Sequence, residues 1–188
     1  MSGRPAIVDY LDGMMRPLIK PLRRRTFLAA APSAFLAACS GPGDAGRAHA
    51  DNISETFADS EWRNLTEDEW RARLDPLAFR VLRLEATERA FTSPLNDEKR
   101  DGVFHCAGCD LAIFNSDTKY DSGTGWPSFW DYIPGTLGFK EDNKLWMTRI
   151  EYHCARCGGH HGHVFNDGPA PTGLRYCNNG VALTFKPA

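Results

Sequence analysis

Four of the six cysteines in this 188-residue chain come as two pairs, Cys106-Ala-Gly-Cys109 and Cys154-Ala-Arg-Cys157. A two-residue gap lets both sulfurs of a pair face one ion. Together the pairs make a tetrahedral all-sulfur set, which suits structural zinc and leaves no position open for water or substrate. Disulfides within or between the pairs would also suit an exported protein, and a redox CxxC would suit one pair taken alone. Neither explains two like pairs, each beside a turn-forming glycine. Zinc, in a structural role, is the expected cofactor.

Cys177 stands apart, in GLRYCNNG, with no other cysteine near it. Histidine is concentrated in CGGHHGHVFND, which holds His160, His161 and His163. Their spacing would allow metal ligation, but four thiolates already fill a zinc ion, and the imidazoles are then free for other work. An imidazole near a lone cysteine hydrogen-bonds or stabilises a thiolate, and that combination makes a sulfur reactive.

These residues need a scaffold. From Gly102 onward the short apolar runs GVFHC, LAIFNS, LWMTRIEYHC, HVFND and VALTF are punctuated by Gly, Pro, Asn and Asp, a texture that predicts antiparallel strands. Ahead of them, Thr66 and Glu69 form a capping box before Trp70 and Leu74, and Asp75-Pro76 reads as an N-cap with proline at the first helical position. Leu77, Ala78, Val81 and Leu82 follow at helical spacing. The pattern predicts one small, mostly β domain with short helices at its N-terminal side; with 42% hydrophobic residues the chain can bury a single real core.

Residues 1–38 read as an export signal cleaved before Cys39. Arg16, Lys20, Arg23, Arg24 and Arg25 precede the thirteen-residue apolar run Thr26 to Ala38, which is too short to span a bilayer. Arg24-Arg25-Thr26-Phe27-Leu28 resembles a twin-arginine signal, and Leu36-Ala37-Ala38-Cys39 resembles a lipobox, at which cysteine is acylated. Met14 or Met15 could serve as the start in place of Met1. Residues 39–60, rich in Gly, Ala, Ser and Asp, are expected to form a flexible tether to a domain spanning 61–188. The expected location is the periplasmic side of a bacterial envelope, lipid-anchored at Cys39. Without residues 1–38 the chain has 16 basic and 22 acidic side chains, a net charge of −6 that offers nucleic acid no electrostatic footing. A monomer is expected.

The order CxxC, then KYDSGTGWPSFW (Lys119 to Trp130), then CxxC-GGHHGHVFNDGPAPTGLRYCNNG resembles the peptide methionine sulfoxide reductases of the B type, from about Trp62 to Phe185. The resemblance implies two antiparallel sheets with short N-terminal helices, zinc on Cys106, Cys109, Cys154 and Cys157, and reduction of methionine-R-sulfoxide in oxidised proteins. It implies Cys177 as nucleophile, with Asn179 hydrogen-bonding in the site and Arg175 favouring the thiolate. Trp126 would receive the substrate's methyl group, with Phe129 beside it. His160, His163 and Asp167 would orient the sulfoxide oxygen through water and help to protonate it. Chemistry agrees: a sulfoxide sulfur becomes electrophilic once its oxygen is protonated, so reduction needs a thiolate, an acid and an aromatic surface for a methyl.

The chain departs from the family pattern at three places. Thr124 stands where many members carry a resolving cysteine, and acylation would occupy Cys39, so an external thiol must reduce the Cys177 sulfenic acid. His161 stands where an aliphatic residue is more usual, and Asn178 where a branched apolar one is; both are expected to change the polarity of the pocket rim and hence substrate preference. Two other functions fit parts of the pattern: a non-catalytic zinc-stapled β binding module, which predicts a Cys177 of ordinary or raised pKa, and a hydrolase using Cys177 with His163, which would need no reductant.

Overall fold

A computed structural model of the protein describes residues 56–144 and 148–188; the export signal, Cys39 and the tether up to residue 55 lie outside the described residues. Helix α1 spans Glu67–Arg73 and begins as the sequence predicts, with the Thr66 side chain accepting from Glu69 N and the Glu69 carboxylate accepting from Thr66 N at 2.7 Å. Helix α2 spans Pro76–Leu84 and has the expected proline in its first turn, but the Asp75 side chain makes no capping bond. The fixed φ of proline is what starts this helix. Its buried face, Ala78, Phe79, Val81 and Leu82, continues the helical spacing of the sequence.

Among the described residues nine strands follow: β1 Gly102–Cys106, β2 Ala112–Asn115, β3 Lys119–Tyr120, β4 Ser128–Phe129, β5 Leu137–Asp142, β6 Arg149–Cys154, β7 His160–Phe165, β8 Arg175–Asn178 and β9 Leu183–Pro187. They form two sheets, β2-β1-β9 and β3-β4-β8-β7-β6-β5, with every pairing antiparallel. The mostly β, two-sheet architecture with short helices before it is the expected one. Between the sheets lies an aromatic core in which Phe114 stacks on Phe129 at 4.1 Å and Phe104 meets Phe129 edge-on at 5.0 Å.

The two CxxC segments fold as the same turn twice. Cys106 O accepts from Asp110 N at 2.8 Å and Cys154 O accepts from Gly158 N at 2.9 Å, and Asp110 and Gly158 both have left-handed φ, 62° and 70°. One turn ends β1 in the smaller sheet and the other ends β6 in the larger. Two arginines seal the second turn: Arg63, at the end of a 3-10 turn (Glu61–Arg63) before α1, donates to Ala155 O at 2.6 Å, and Arg83 of α2 to Cys157 O at 3.0 Å.

Register across the larger sheet decides what shares a face. Tyr120 pairs with Ser128, Ser128 with Cys177, Cys177 with His163, His163 with Glu151, and Glu151 with Lys140. Directly opposed residues point to the same side. Cys177 thus stands in one row between a hydroxyl and an imidazole, while the neighbouring row, Phe129, Tyr176, Val164 and Ile150, is buried in the core. The close approach of β7 to β8 depends on Gly162, where a Cβ would overlap the Cys177 carbonyl oxygen. Gly162→Ala should therefore destabilise the domain by about 1–3 kcal/mol, the usual range for overpacking, and displace the Cys177 strand. Urea unfolding with native-like transition slopes and wild-type stability in this variant would contradict that account.

Candidate active site and metal centre

Cys106, Cys109, Cys154 and Cys157 are all buried, and their Sγ atoms lie within 4.8 Å of one another. The Cys106–Cys157 and Cys109–Cys154 sulfurs are 3.6 and 3.5 Å apart. A disulfide needs about 2.05 Å, whereas four sulfurs about 2.3 Å from one ion stand close to the observed spacing. Each short contact links one pair to the other, so all four thiols converge on one centre. The residues fit a structural metal with a complete thiolate set.

Cys177 is half-buried on β8. Burial pushes its thiol pKa up, and the Arg175 charge together with hydrogen bonds from Thr124 and Arg175 only partly offsets this. The Arg175 contribution has the expected sign but does not prevail, so the free protein carries a thiol at neutral pH. The Arg175 guanidinium is shared, gripping Asp167 through two hydrogen bonds of 2.8 and 2.9 Å and lying over the Phe165 ring.

His163 lies on β7 opposite Cys177, and its Nε2 is 2.8 Å from Asp142 Oδ2. Burial lowers its pKa, while the bond to Asp142 raises it; the balance lies below the ordinary histidine value, so the ring is neutral at pH 7. Nε2–H donating to Asp142 leaves Nδ1 as the bare acceptor. His160 Nδ1 lies 2.9 Å from Glu151 Oε1, with both side chains 3% exposed, and the two imidazoles stand 5.6 Å apart. A strand normally puts residues three apart on opposite faces; here β7 has a bulge, with the register shifting between Tyr152 and His153 so that His153 faces His160. The extra residue, His161, lets His160 and His163 share the Cys177 face.

The acids beside the two imidazoles are therefore Asp142 and Glu151, which the sequence reading missed, and not Asp167. The Asp167 side chain is 59% exposed and held by Arg175, away from a direct contact with either histidine. Nothing in the local sequence marks Asp142 or Glu151; only register across β5, β6 and β7 brings them in. Asn179 is buried, and its side chain accepts from Glu88 N and donates to His161 O, both at 2.9 Å, so it ties the end of β8 to its neighbours. Glu88 in turn accepts from Gly180 N and Val181 N, and its carbonyl receives the Trp126 Nε1–H at 3.2 Å. Trp126 is half-buried with its indole fixed by that bond.

Phe129 is not available to a substrate: it is 0% exposed and stacked in the core. The exposed aromatic near Trp126 is instead Phe91, 74% exposed at φ 65°, whose N–H donates to Gly125 O at 2.7 Å and whose ring covers Gly125. His161 and Asn178 are likewise not on a pocket rim, being fully buried. His161 Nδ1 lies 3.2 Å from Asn178 Oδ1, which also accepts from Tyr152 OH at 3.0 Å. Desolvation holds the His161 pKa down to about 3, so this ring stays neutral.

Residues 74–187 match the SelR domain. The chain belongs to the SelR domain family. Its relatives carry the name peptide methionine sulfoxide reductase MsrB. One from Pseudomonas putida (strain W619) is 54% identical over 123 residues, covering 65% of this chain and 92% of its own. Another from Methanosarcina barkeri (strain Fusaro / DSM 804) is 53% identical over 122 residues, covering 64% and 86%. A third, from Methylibium petroleiphilum, is 50% identical over 123 residues, covering 65% and 89%.

Asp142 gives the site a measurable pH signature. Burial raises its carboxyl pKa, but hydrogen bonds from Lys144 N, His163 and Arg149 outweigh this and hold it down to about 2, below the ordinary 3.8. A carboxyl depressed in the folded state stabilises above its unfolded pKa, and loses that contribution as pH falls through the folded one. Wild type should exceed Asp142→Asn in stability at neutral pH, and the margin should be lost as pH falls from about 4 towards 2. Urea titrations showing a margin independent of pH over this range would refute the assignment.

Proposed function

We propose that this member of the SelR family, a peptide methionine sulfoxide reductase, reduces the R epimer with Cys177 as its nucleophile. The observation that carries the reading is the row Ser128, Cys177, His163 and Glu151 on one face of the larger sheet, with Asp142 on His163. The Cys177 proton passes to His163 Nδ1, and Asp142 stabilises the imidazolium that forms. The thiolate attacks the sulfoxide sulfur while the imidazolium returns its proton to the sulfoxide oxygen. Oxygen then moves to the cysteine sulfur: the sulfoxide S–O bond is lost and methionine leaves, its sulfur reduced by two electrons. Cys177 is oxidised by the same two to a sulfenic acid, whose hydroxyl keeps the proton. Two equivalents of an external thiol restore Cys177, releasing water and a disulfide. Trp126 and Phe91 form the apolar wall for the substrate's methyl end, and Asn179 and Arg175 hold the nucleophile's strand.

The metal on the four cysteines is zinc, held as a structural ion with no open position. The physiological setting is repair of oxidised methionines in cell-envelope proteins, by a monomer anchored through a lipid on Cys39. The support for that setting is the twin-arginine and lipobox resemblance of residues 24–39. A Cys–His–Asp arrangement would also serve a hydrolase, and a raised thiol pKa alone would also fit a binding module; the family membership favours the reductase.

Metal-loaded protein with dithiothreitol should reduce only the R epimer of a blocked methionine sulfoxide, and Cys177→Ser should abolish this. Cleavage of the blocking amide or ester without any thiol, and without sulfoxide reduction, would make the protein a hydrolase, and no reaction of either epimer would make it a binding module. Chelation of the metal should abolish the native melting transition, because a structural ion contributes folding free energy outright. A chelated protein that melts like the loaded one would remove the structural role.

A further inference from the structure

The hydroxyls beside Cys177 form a continuous line that the reaction above does not use. Ser128, opposite Cys177 on β4, is 0% exposed, and its Oγ donates to Trp126 O at 3.1 Å. Ser122 Oγ lies 2.7 Å from Ser128 Oγ and 2.8 Å from Thr124 Oγ1. Thr124, at the near end of this line, acts on the Cys177 thiol to lower its pKa against the upward pull of burial, and Ser128 at the other end is the direct cross-strand partner of Cys177. The loop is shaped for this: Gly123 and Gly125 have φ of 71° and 88°, and Asp121 Oδ1 accepts from Gly123 N at 2.8 Å.

Each hydroxyl has one hydrogen and can rotate it without moving a heavy atom. One end of the line, Trp126 O, can only accept. The other end, the Cys177 sulfur, donates as a thiol and accepts as a thiolate. In the thiol state every hydrogen can point away from sulfur, from Cys177 to Thr124, Ser122, Ser128 and then Trp126 O. In the thiolate state the hydrogens reverse, Ser128 to Ser122 to Thr124 to sulfur, and only the Trp126 carbonyl gives up its donor. One neutral hydrogen bond is exchanged for a charge-assisted one at the end of a polarised chain.

We propose that Ser128, Ser122 and Thr124 form a reversible hydroxyl chain that stabilises the Cys177 thiolate, with Thr124 as a catalytic residue in contact with the reacting sulfur. Thr124 thus supplies a hydrogen bond at the position where the resemblance places a second thiol in other members. Ser122 and Ser128 are positioning residues that act through it. The inference rests on Cys177 as the nucleophile.

The test reads thiolate formation apart from sulfoxide turnover. In full-length, metal-loaded protein, the rate of Cys177 alkylation by iodoacetamide would be followed by mass mapping from pH 6 to 10, beside turnover of the R sulfoxide. Thr124→Val should shift the alkylation profile up by about one pH unit and lower both rates about tenfold at neutral pH, one pKa unit being one decade in thiolate. Thr124→Ser should retain the wild-type profile, and Ser122→Ala should shift it part of the way. A wild-type profile in Thr124→Val overturns the proposal; should that variant not fold, a wild-type profile in Ser122→Ala does so. If wild type alkylates at Cys177 with the predicted shifts but never reduces a sulfoxide, the reductase reading fails and the hydroxyl chain stands.

Discussion

Four cysteine sulfurs converging on one point tie the two sheets of this domain to each other. Each CxxC turn ends a strand of a different sheet, β1 in one and β6 in the other, so a metal bound there joins the two sheets directly. The segment closed between the pairs is 44 residues long and contains β2, β3, β4 and β5, together with Trp126. In the unfolded chain that closure costs entropy that grows only slowly with length, whereas a metal's binding free energy is gained only when all four ligands are in place. The identical backbone of the two turns follows from this demand. Both must present two sulfurs to a shared ion, and both use a left-handed residue just after the second cysteine.

Catalytic geometry depends on the larger sheet in a different way. Cys177, His163 and Glu151 come from three adjacent strands, and they meet because antiparallel register places opposed residues on one face. Two local devices refine that placement. Gly162 removes the side chain that would hold β7 and β8 apart, and the bulge at His161 turns His160 towards the same face as His163. Asn179 and Glu88 then connect the Cys177 strand to the backbone that fixes Trp126. The Cys177 sulfur and the Trp126 indole are thereby held in one hydrogen-bonded frame, which fixes their relative orientation.

The parts of the fold readable in sequence are those decided by short-range chemistry. The Thr66–Glu69 capping box, the helical spacing around Phe79, the CxxC turns and strands β1, β2 and β6 all announce themselves within a few residues. Strands β3 and β4 have two residues each and carry no periodicity at all, and β8 lies across Cys177 itself. Asp142 and Glu151 were illegible because their partners are 21 and 9 residues away, and an acid in a strand looks like a solvated one until the register is known. The burial of Phe129 has the same origin: its neighbour Ser128 shares the Cys177 face, so alternation sends the phenylalanine ring into the core.

His161 and Asn178 show how two departures from a family pattern can be one change. By the resemblance each stands where an apolar residue is more usual, and each side chain is fully buried, which for a lone polar group would incur a desolvation penalty of about 1–3 kcal/mol. The structure places them within 3.2 Å of each other, with Tyr152 OH on the same oxygen of Asn178, while Asn178 Nδ2 donates to Asn179 O at 2.6 Å. Without Asn178, His161 Nδ1 and Tyr152 OH would both lose their partner in the core, whereas Asn178 without His161 keeps Tyr152 and Asn179, so the dependence runs from His161 to Asn178. His161 Nε2 still finds no partner, which leaves the pair short of full satisfaction. The network sits on the face of β8 opposite the Cys177 side chain. Its polarity can therefore reach Cys177 only through the position of β8, by way of Asn178 and Asn179.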